Sequence, residues 1–192
     1  MTRLDDAVTV AARIADRFED GAIPYAIGGA LALAAYGMQR MTNDAYLGVF
    51  IEPGRLPEVH DALERGGCLF ERDRAAAAVE RASFFTVRCG VVLADIFVSF
   101  HPHHDDARER RRKIRMGDGV ERWFLSPEDL AIHKLAMLRP KDLMDLEHLF
   151  AAQSAGLDVE YIRRWVEAIA PEALDRRRAA VDDLVGRFTR AG

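Results

Sequence analysis

Two aspartates and a glycine pair are the residues of this chain best suited to do chemistry. Asp44 opens the apolar half of RMTNDAYLGVFI, residues 40–51, which leaves a polar turn and reads as a strand. Side chains at i and i+2 of a strand point the same way. An aspartate at both 44 and 46 would therefore clamp a divalent cation between two carboxylates. Position 46 holds tyrosine instead. A phenol stays neutral up to about pH 10, which makes it a poor magnesium ligand. The other aspartate, Asp95, interrupts the apolar run VVLADIFVSF. A lone carboxylate in a buried strand is costly unless something pairs with it, and either a metal ion or a basic side chain such as Arg40 would serve. Gly28 and Gly29 join a short apolar run, IPYAIG, to the small-residue stretch GALALAAYG. Either they only permit a tight turn, or their N–H groups, at the start of a helix, hold phosphate.

A second group of charges lies in LSPEDLAIHKLAMLRPKDLMDLEHL, residues 125–149. Lys134, Arg139 and Lys141, with Arg40, are candidates to hold phosphate oxygens or an RNA backbone. Asp142 and Asp145 stand at helical spacing and could instead form salt bridges with Lys134 or Arg139. HPHHDD, residues 101–106, has histidines too crowded for a regular tetrahedral cage, and Pro102 implies a loop, so a solvated turn is expected rather than zinc. ARERRRKIR, residues 107–115, gathers positive charge on an otherwise acidic chain. It reads as a solvated surface or as a local stripe for RNA. Trp123 and Trp165 read as core packing.

The elements that must position these residues follow from periodicity. Leu4, Val8, Ala11, Ile14 and Phe18 recur at helical spacing and predict a first helix over residues 3–19. IPYAIG predicts a strand, GALALAAYG a helix closed by Gly37, and the run after Asp44 a strand ending at Pro53. LPEVHDALERGG predicts a helix, and CLFE a brief strand, while residues 72–81 give no assignment. SFFTVRCGVVLADIFVSF predicts two strands joined around Cys89 and Gly90. From Ser126 the pattern turns to helix, with Ser126 as cap, Pro127 in the first turn and Asp129 three residues after the cap. Another helix follows Pro140, and two more are expected over 158–169 and 171–189. The expected division is a mixed α/β core over 1–125 and a helical region over 126–192 packed on it.

Composition limits the function classes. The 192 residues carry 27 Lys and Arg against 31 Asp and Glu, a net charge of −4, so the whole chain is not a polycation that coats nucleic acid. About half the residues are apolar, enough for a core. No run approaches the roughly 18 apolar residues of a membrane helix. The first twenty residues show an amphipathic helical pattern rather than a signal peptide, so a cytoplasmic protein is expected. Cys68 and Cys89 have no CxxC spacing, and reduced thiols are the simpler expectation.

The order of these features resembles the nucleotidyltransferase superfamily: GG, small-residue helix, YG, R-x-T-x-D, apolar strand, then an isolated aspartate on a later strand. It is closest to the bacterial branch of AbiEii-type toxins and minimal nucleotidyltransferases of toxin–antitoxin systems. The matching residues are Gly28, Gly29, Tyr36, Gly37, Arg40, Thr42, Asp44 and Asp95, and the helical segment with Lys134 followed by R-x-K-D is a second match. The resemblance implies an α+β fold, a small mixed sheet flanked by helices with a C-terminal helical part. It further implies transfer of a nucleotidyl group from a nucleoside triphosphate to a tRNA end or a partner protein, with Mg2+ or Mn2+. Asp44 and Asp95 would be catalytic metal ligands, and Gly28, Gly29, Arg40, Thr42, Lys134 and Lys141 would hold nucleotide or phosphate. Family members supply a D-x-D pair and a third acid; here Tyr46 takes the pair's second place. That departure implies impaired transfer, or a catalytically silent module that binds nucleotide or a partner. Glu52 could move in as a substitute ligand if the strand ran regularly that far.

Overall fold

Asp6 caps the first helix: its carboxylate accepts the N–H of Thr9 at 2.7 Å. The computed structural model describes residues 6–38, 42–98, 101–153 and 156–188. Helix α1, Ala7–Asp20, buries Val10, Ala11, Ile14 and Phe18 along one stripe; Val8, expected on that stripe, is exposed, and Leu4 lies outside the described residues. Strand β1, Tyr25–Ile27, leads through the glycine pair into α2, Gly29–Ala35. Strand β2, Asp44–Val49, is followed by a 3-10 turn at Pro53–Arg55 and by α3, Leu56–Arg65. Then come α4, Arg72–Ala82; β3, Phe84–Cys89; β4, Val92–Val98; α5, His103–Arg110; and the hairpin of β5, Arg112–Arg115, and β6, Glu121–Phe124. The remainder is helical: α6, Pro127–Met137; α7, Pro140–Gln153; α8, Val159–Ile169; and α9, Leu174–Phe188. No helix among the described residues is long and apolar enough to cross a membrane.

The chain divides into two compact units, residues 1–32 with 40–125, and residues 33–39 with 126–192. In the first, six strands form one mixed sheet in the order β3-β4-β2-β1-β6-β5. Strands β2 and β4 run parallel, as do β1 and β6, and the other neighbours are antiparallel. Helix α1 packs across β2 and β4 and against α3. Ala45, Leu47, Val49, Ala94, Ile96 and Val98 of the sheet are all buried, and their alternation leaves the opposite face for polar and aromatic side chains. Each large aliphatic side chain buried this way contributes about 1.5–3 kcal/mol. Arg122 of β6, almost wholly buried, spans two acids, donating to Asp16 of α1 at 2.9 Å and to Asp118.

In the second unit Ser126 caps α6, accepting the Asp129 N–H at 3.1 Å while its hydroxyl donates to the Asp129 carboxylate. The Tyr161 hydroxyl of α8 donates to the other oxygen of that buried carboxylate at 2.8 Å. Arg177 of α9 donates to the carbonyls of Leu135 and Ala136, which satisfies acceptors the end of α6 would otherwise leave open.

The mixed α+β architecture is the expected one, and several local expectations are corrected. CLFE forms only a single bridge, Leu69 to Arg88, because Leu69 pairs with an edge strand for one residue. The charged segment 72–81, left without assignment, is helix α4; alanine favours helix, and only Ala75 and Val79 need burial. HPHHDD is not a loop: Pro102 stands just before α5, where a missing N–H costs nothing. Trp123 and Trp165 are half-buried rather than core, each lying beneath an arginine guanidinium, Arg111 at 4.2 Å and Arg164 at 5.2 Å. The cysteines are not separate thiols: Cys68 and Cys89 form a disulfide, brought together because the Leu69–Arg88 bridge aligns the chain before β3 with its far end.

Candidate functional site

The open face of the sheet is built by register. Because β2 and β4 are parallel with Tyr46 opposite Asp95, and β3 and β4 antiparallel with Thr86 opposite Asp95, the three side chains form one row across three strands. The row on one side is Gly48, Phe97 and Phe84, and on the other Asp44, Leu93 and Arg88. Asp44 and Asp95 therefore share a face on adjacent strands, offset by two residues.

Each member of this face has a defined environment. The Thr86 hydroxyl donates to Asp95 at 2.6 Å, so the compensation required by a carboxylate in an apolar strand comes from a neighbouring hydroxyl. Asp44 is exposed, and among the described residues its carboxylate has no side-chain partner. Its backbone is held by Thr42, whose hydroxyl donates to the Asp44 carbonyl at 3.0 Å. That is the placement of predicted Thr42: it shapes the start of β2. Tyr46 stacks on Phe97 with ring centroids 4.2 Å apart, and Phe97 stacks on Phe84 at 4.9 Å.

The glycine pair sits directly on Tyr46. Gly28 donates its N–H to the Tyr46 carbonyl at 2.9 Å. A methyl group at Gly28 would meet ring atoms of Tyr46 at 2.5 and 2.6 Å, closer than carbon atoms tolerate. Gly29 has φ +60, the left-handed region that favours glycine, and a side chain there would lie 3.1 Å from the Tyr46 Cβ. Burial, and then the Asp95 carboxylate, push the Tyr46 phenol well above its ordinary pKa. Position 46 thus presents a neutral ring wedged between the GG turn and Phe97.

This donor set does not fit the three-carboxylate arrangement that two divalent ions require. Among the described residues no group of three metal-ligating side chains includes Asp44 and Asp95. The space beside the glycines at position 46 is filled by ring carbon, and a phenol held neutral donates poorly to magnesium. Glu52 lies three residues beyond the end of β2, outside its strand alternation.

Two of the other predicted site residues, Lys134 and Lys141, belong to the second unit. Arg40 lies outside the described residues. Lys134, mostly buried, donates to Asp142 at 3.1 Å and to Asp145 at 2.5 Å, and Arg139 donates to Asp142 at 2.6 Å. Two of the three ammonium protons of Lys134 are thereby committed within the helical unit. Lys141 is exposed in the first turn of α7. Sequence reasoning missed Thr86 and the Phe84–Phe97–Tyr46 stack. The alternation of FFTVRC singles out Thr86 as outward-facing, but only the strand register puts it opposite Asp95.

The comparisons with known proteins bear on the fold and the family. The family model described as "Nucleotidyltransferase of unknown function (DUF6036)" matches residues 5–188. No curated protein matches the chain. Among solved structures, the antibiotic-resistance factor ANT(2'')-Ia, a solution structure described for its substrate-regulated conformation dynamics, superposes with a TM-score of 0.58 at 16% identity, covering 94% of this chain and 97% of that one. A putative nucleotidyltransferase from H. pylori superposes with a TM-score of 0.52 at 12% identity, covering 94% of this chain and 92% of that one. At those identities the likeness establishes the fold, while the family match over nearly the whole length establishes membership: the chain belongs to the nucleotidyltransferase family DUF6036.

Proposed function

We propose that this chain is a nucleotidyltransferase whose donor is a nucleoside triphosphate and whose acceptor is an RNA end, a tRNA above all, or a partner protein, with transfer impaired by Tyr46. The observation that carries the reading is the contact of the Tyr46 ring with Gly28 and Gly29 on the face that also bears Asp44 and Asp95. Nucleotidyl transfer brings a nucleophile to a phosphorus already ringed by negative oxygens, so it depends on fixed positive charge. Mg2+ or Mn2+ supplies that charge in such reactions, and Asp44 and Asp95 alone are too few to hold a pair of ions. An aspartate at 46 would complete three acids on one face. Asp95, already aligned by Thr86, would then be the acid to take the proton of an acceptor hydroxyl. The resemblance to the AbiEii-type branch supports the choice of acceptor and a toxin–antitoxin setting.

The neutrality of Tyr46 and its packing against the glycine pair favour a second reading, a catalytically silent member that holds a nucleotide or a regulatory partner. Transfer of label from each nucleoside triphosphate to total RNA and lysate protein, with Mg2+ or Mn2+, separates the two. The chain as it stands, Tyr46→Asp, and Tyr46→Asp/Asp95→Ala are compared. Tyr46→Asp is expected to exceed the starting chain by at least about a hundredfold, about 3 kcal/mol of transition-state stabilisation, and the double variant to be silent. Activity in the chain as it stands, abolished by Asp95→Ala alone, would refute the impairment. Silence of every variant, with no metal-dependent stabilisation by nucleotide, would leave the partner-binding reading.

A further inference from the structure

A cavity of about 640 Å3 lies between α4 and β3, the edge strand of the sheet, within the first unit. It exists because α4 turns alanines, Ala75 and Ala78, toward β3, and these leave a gap that larger side chains would fill. Its wall includes Phe70, Phe84, Thr86, Arg74, Arg81 and Arg88. Arg74 is paired with Glu71 at 2.9 Å, the one acid of the lining. Arg81 and Arg88 are exposed and, among the described residues, neither guanidinium has a counter-ion. The cavity therefore carries two uncompensated positive charges beside half-exposed aromatic rings.

That combination selects a ligand class. Guanidinium groups match phosphate oxygens with paired hydrogen bonds. Exposed phenylalanine faces accept a stacked base. The volume falls within the range of about 300–1,000 Å3 typical of small-molecule sites. Thr86 lines the cavity and donates to Asp95, so an occupant lies one hydrogen bond from the acid of the open face. The basic stripe of α5 and β5 is a weaker rival: Arg111 spends a donor on the Tyr25 carbonyl, and Arg115 is paired with Glu121 and the Gly119 carbonyl.

We propose that the α4–β3 cavity seats a phosphate-bearing nucleotide unit on the acceptor side of the site, with Arg81 and Arg88 on the phosphate and Phe84 against the base. This rests on the transferase reading only for the word acceptor; the binding itself needs no turnover. A free nucleotide and the end of an RNA share this chemistry.

Titration calorimetry of the full chain with adenosine monophosphate, with adenosine, and with a short single-stranded RNA tests it. Adenosine monophosphate or the RNA is expected to bind, adenosine at least tenfold more weakly, and Arg81→Gln and Arg88→Gln each to weaken binding at least fivefold with unchanged melting temperatures. Lys113→Gln, on β5, is expected to bind like the starting chain. Binding of the monophosphate without the RNA identifies a free nucleotide as occupant, and the reverse identifies an RNA end. Equal binding of adenosine and its monophosphate, no binding of either nucleotide form, arginine variants that bind as before, or loss with Lys113→Gln would each overturn the assignment. If Tyr46→Asp transfers nothing while the arginine-dependent binding holds, the cavity stands and the transferase reading falls. If Tyr46→Asp labels RNA equally well with or without Arg81→Gln and Arg88→Gln, the transferase stands and the cavity fails.

Discussion

Gly28 and Tyr46 are coupled in space, and that coupling is measurable. A Cβ at position 28 overlaps the Tyr46 ring, so Gly28→Ala is expected to cost about 1–3 kcal/mol through overpacking. The cost should shrink when Tyr46 is also alanine, a coupling that urea denaturation of the double-mutant cycle will register. Tyr46→Asp should itself lower the melting temperature, because it exchanges a stacked ring for a charge beside Asp95, and Mg2+ should recover part of the loss by binding the acids. Lys134 invites a different test. Its ammonium group pairs with Asp142 and Asp145, both buried, and Arg139 also holds Asp142, so Lys134→Met removes one partner from each buried carboxylate and should cost about 3 kcal/mol. Asp44, Asp95 and the glycines stood out in the sequence as candidates, because few residue types can hold a metal ion or a phosphate. The Thr86–Asp95 hydrogen bond was not, since it joins residues on two strands whose register no local pattern fixes.

At the scale of elements, the disulfide is the feature local reasoning missed. Two cysteines with a sequence separation of 21 carry no spacing signal, and their union depends on the short pairing of Leu69 with β3. By loop-closure entropy the bond should stabilise the fold by about 3 kcal/mol. Denaturation with and without reductant, alongside thiol titration of the unfolded chain, will show the difference; equal stabilities would mean that the bond contributes nothing. Helix α4 was illegible for another reason. Its only buried side chains are Ala75 and Val79, too few to set a hydrophobic period, and its helicity comes from alanine propensity and the αL cap at Ser83. The β5–β6 hairpin was obscured because RKIR is mostly exposed on an edge strand, where charged residues discourage pairing with another chain. Helices α6 and α7, by contrast, were readable from Ser126, Pro127 and Pro140.

For the whole molecule, the two units differ in what holds them: a sheet covered by α1 and α3 in the first, and helices tied by buried polar networks in the second. Burial alone would raise the Asp142 carboxyl, but hydrogen bonds from Arg139 and Lys134 outweigh it and hold it below the usual aspartate range. Its contribution to stability is therefore complete above the unfolded aspartate value of about 3.9 and is lost as pH falls through the lower folded-state value. Melting temperature followed from pH 6 downward should decline below about pH 4, and Asp142→Asn should reduce that slope. By itself the sequence determined the fold class and the helical second half, because periodicity and caps are local properties, and it offered a short set of candidates for phosphate chemistry. Only the tertiary structure decided which face Tyr46 occupies, that Thr86 satisfies Asp95, that Lys134 is spent on aspartates, and that Cys68 meets Cys89. Each of those depends on strand register or helix packing, where a shift of one residue turns a side chain to the opposite face and no single segment records the outcome.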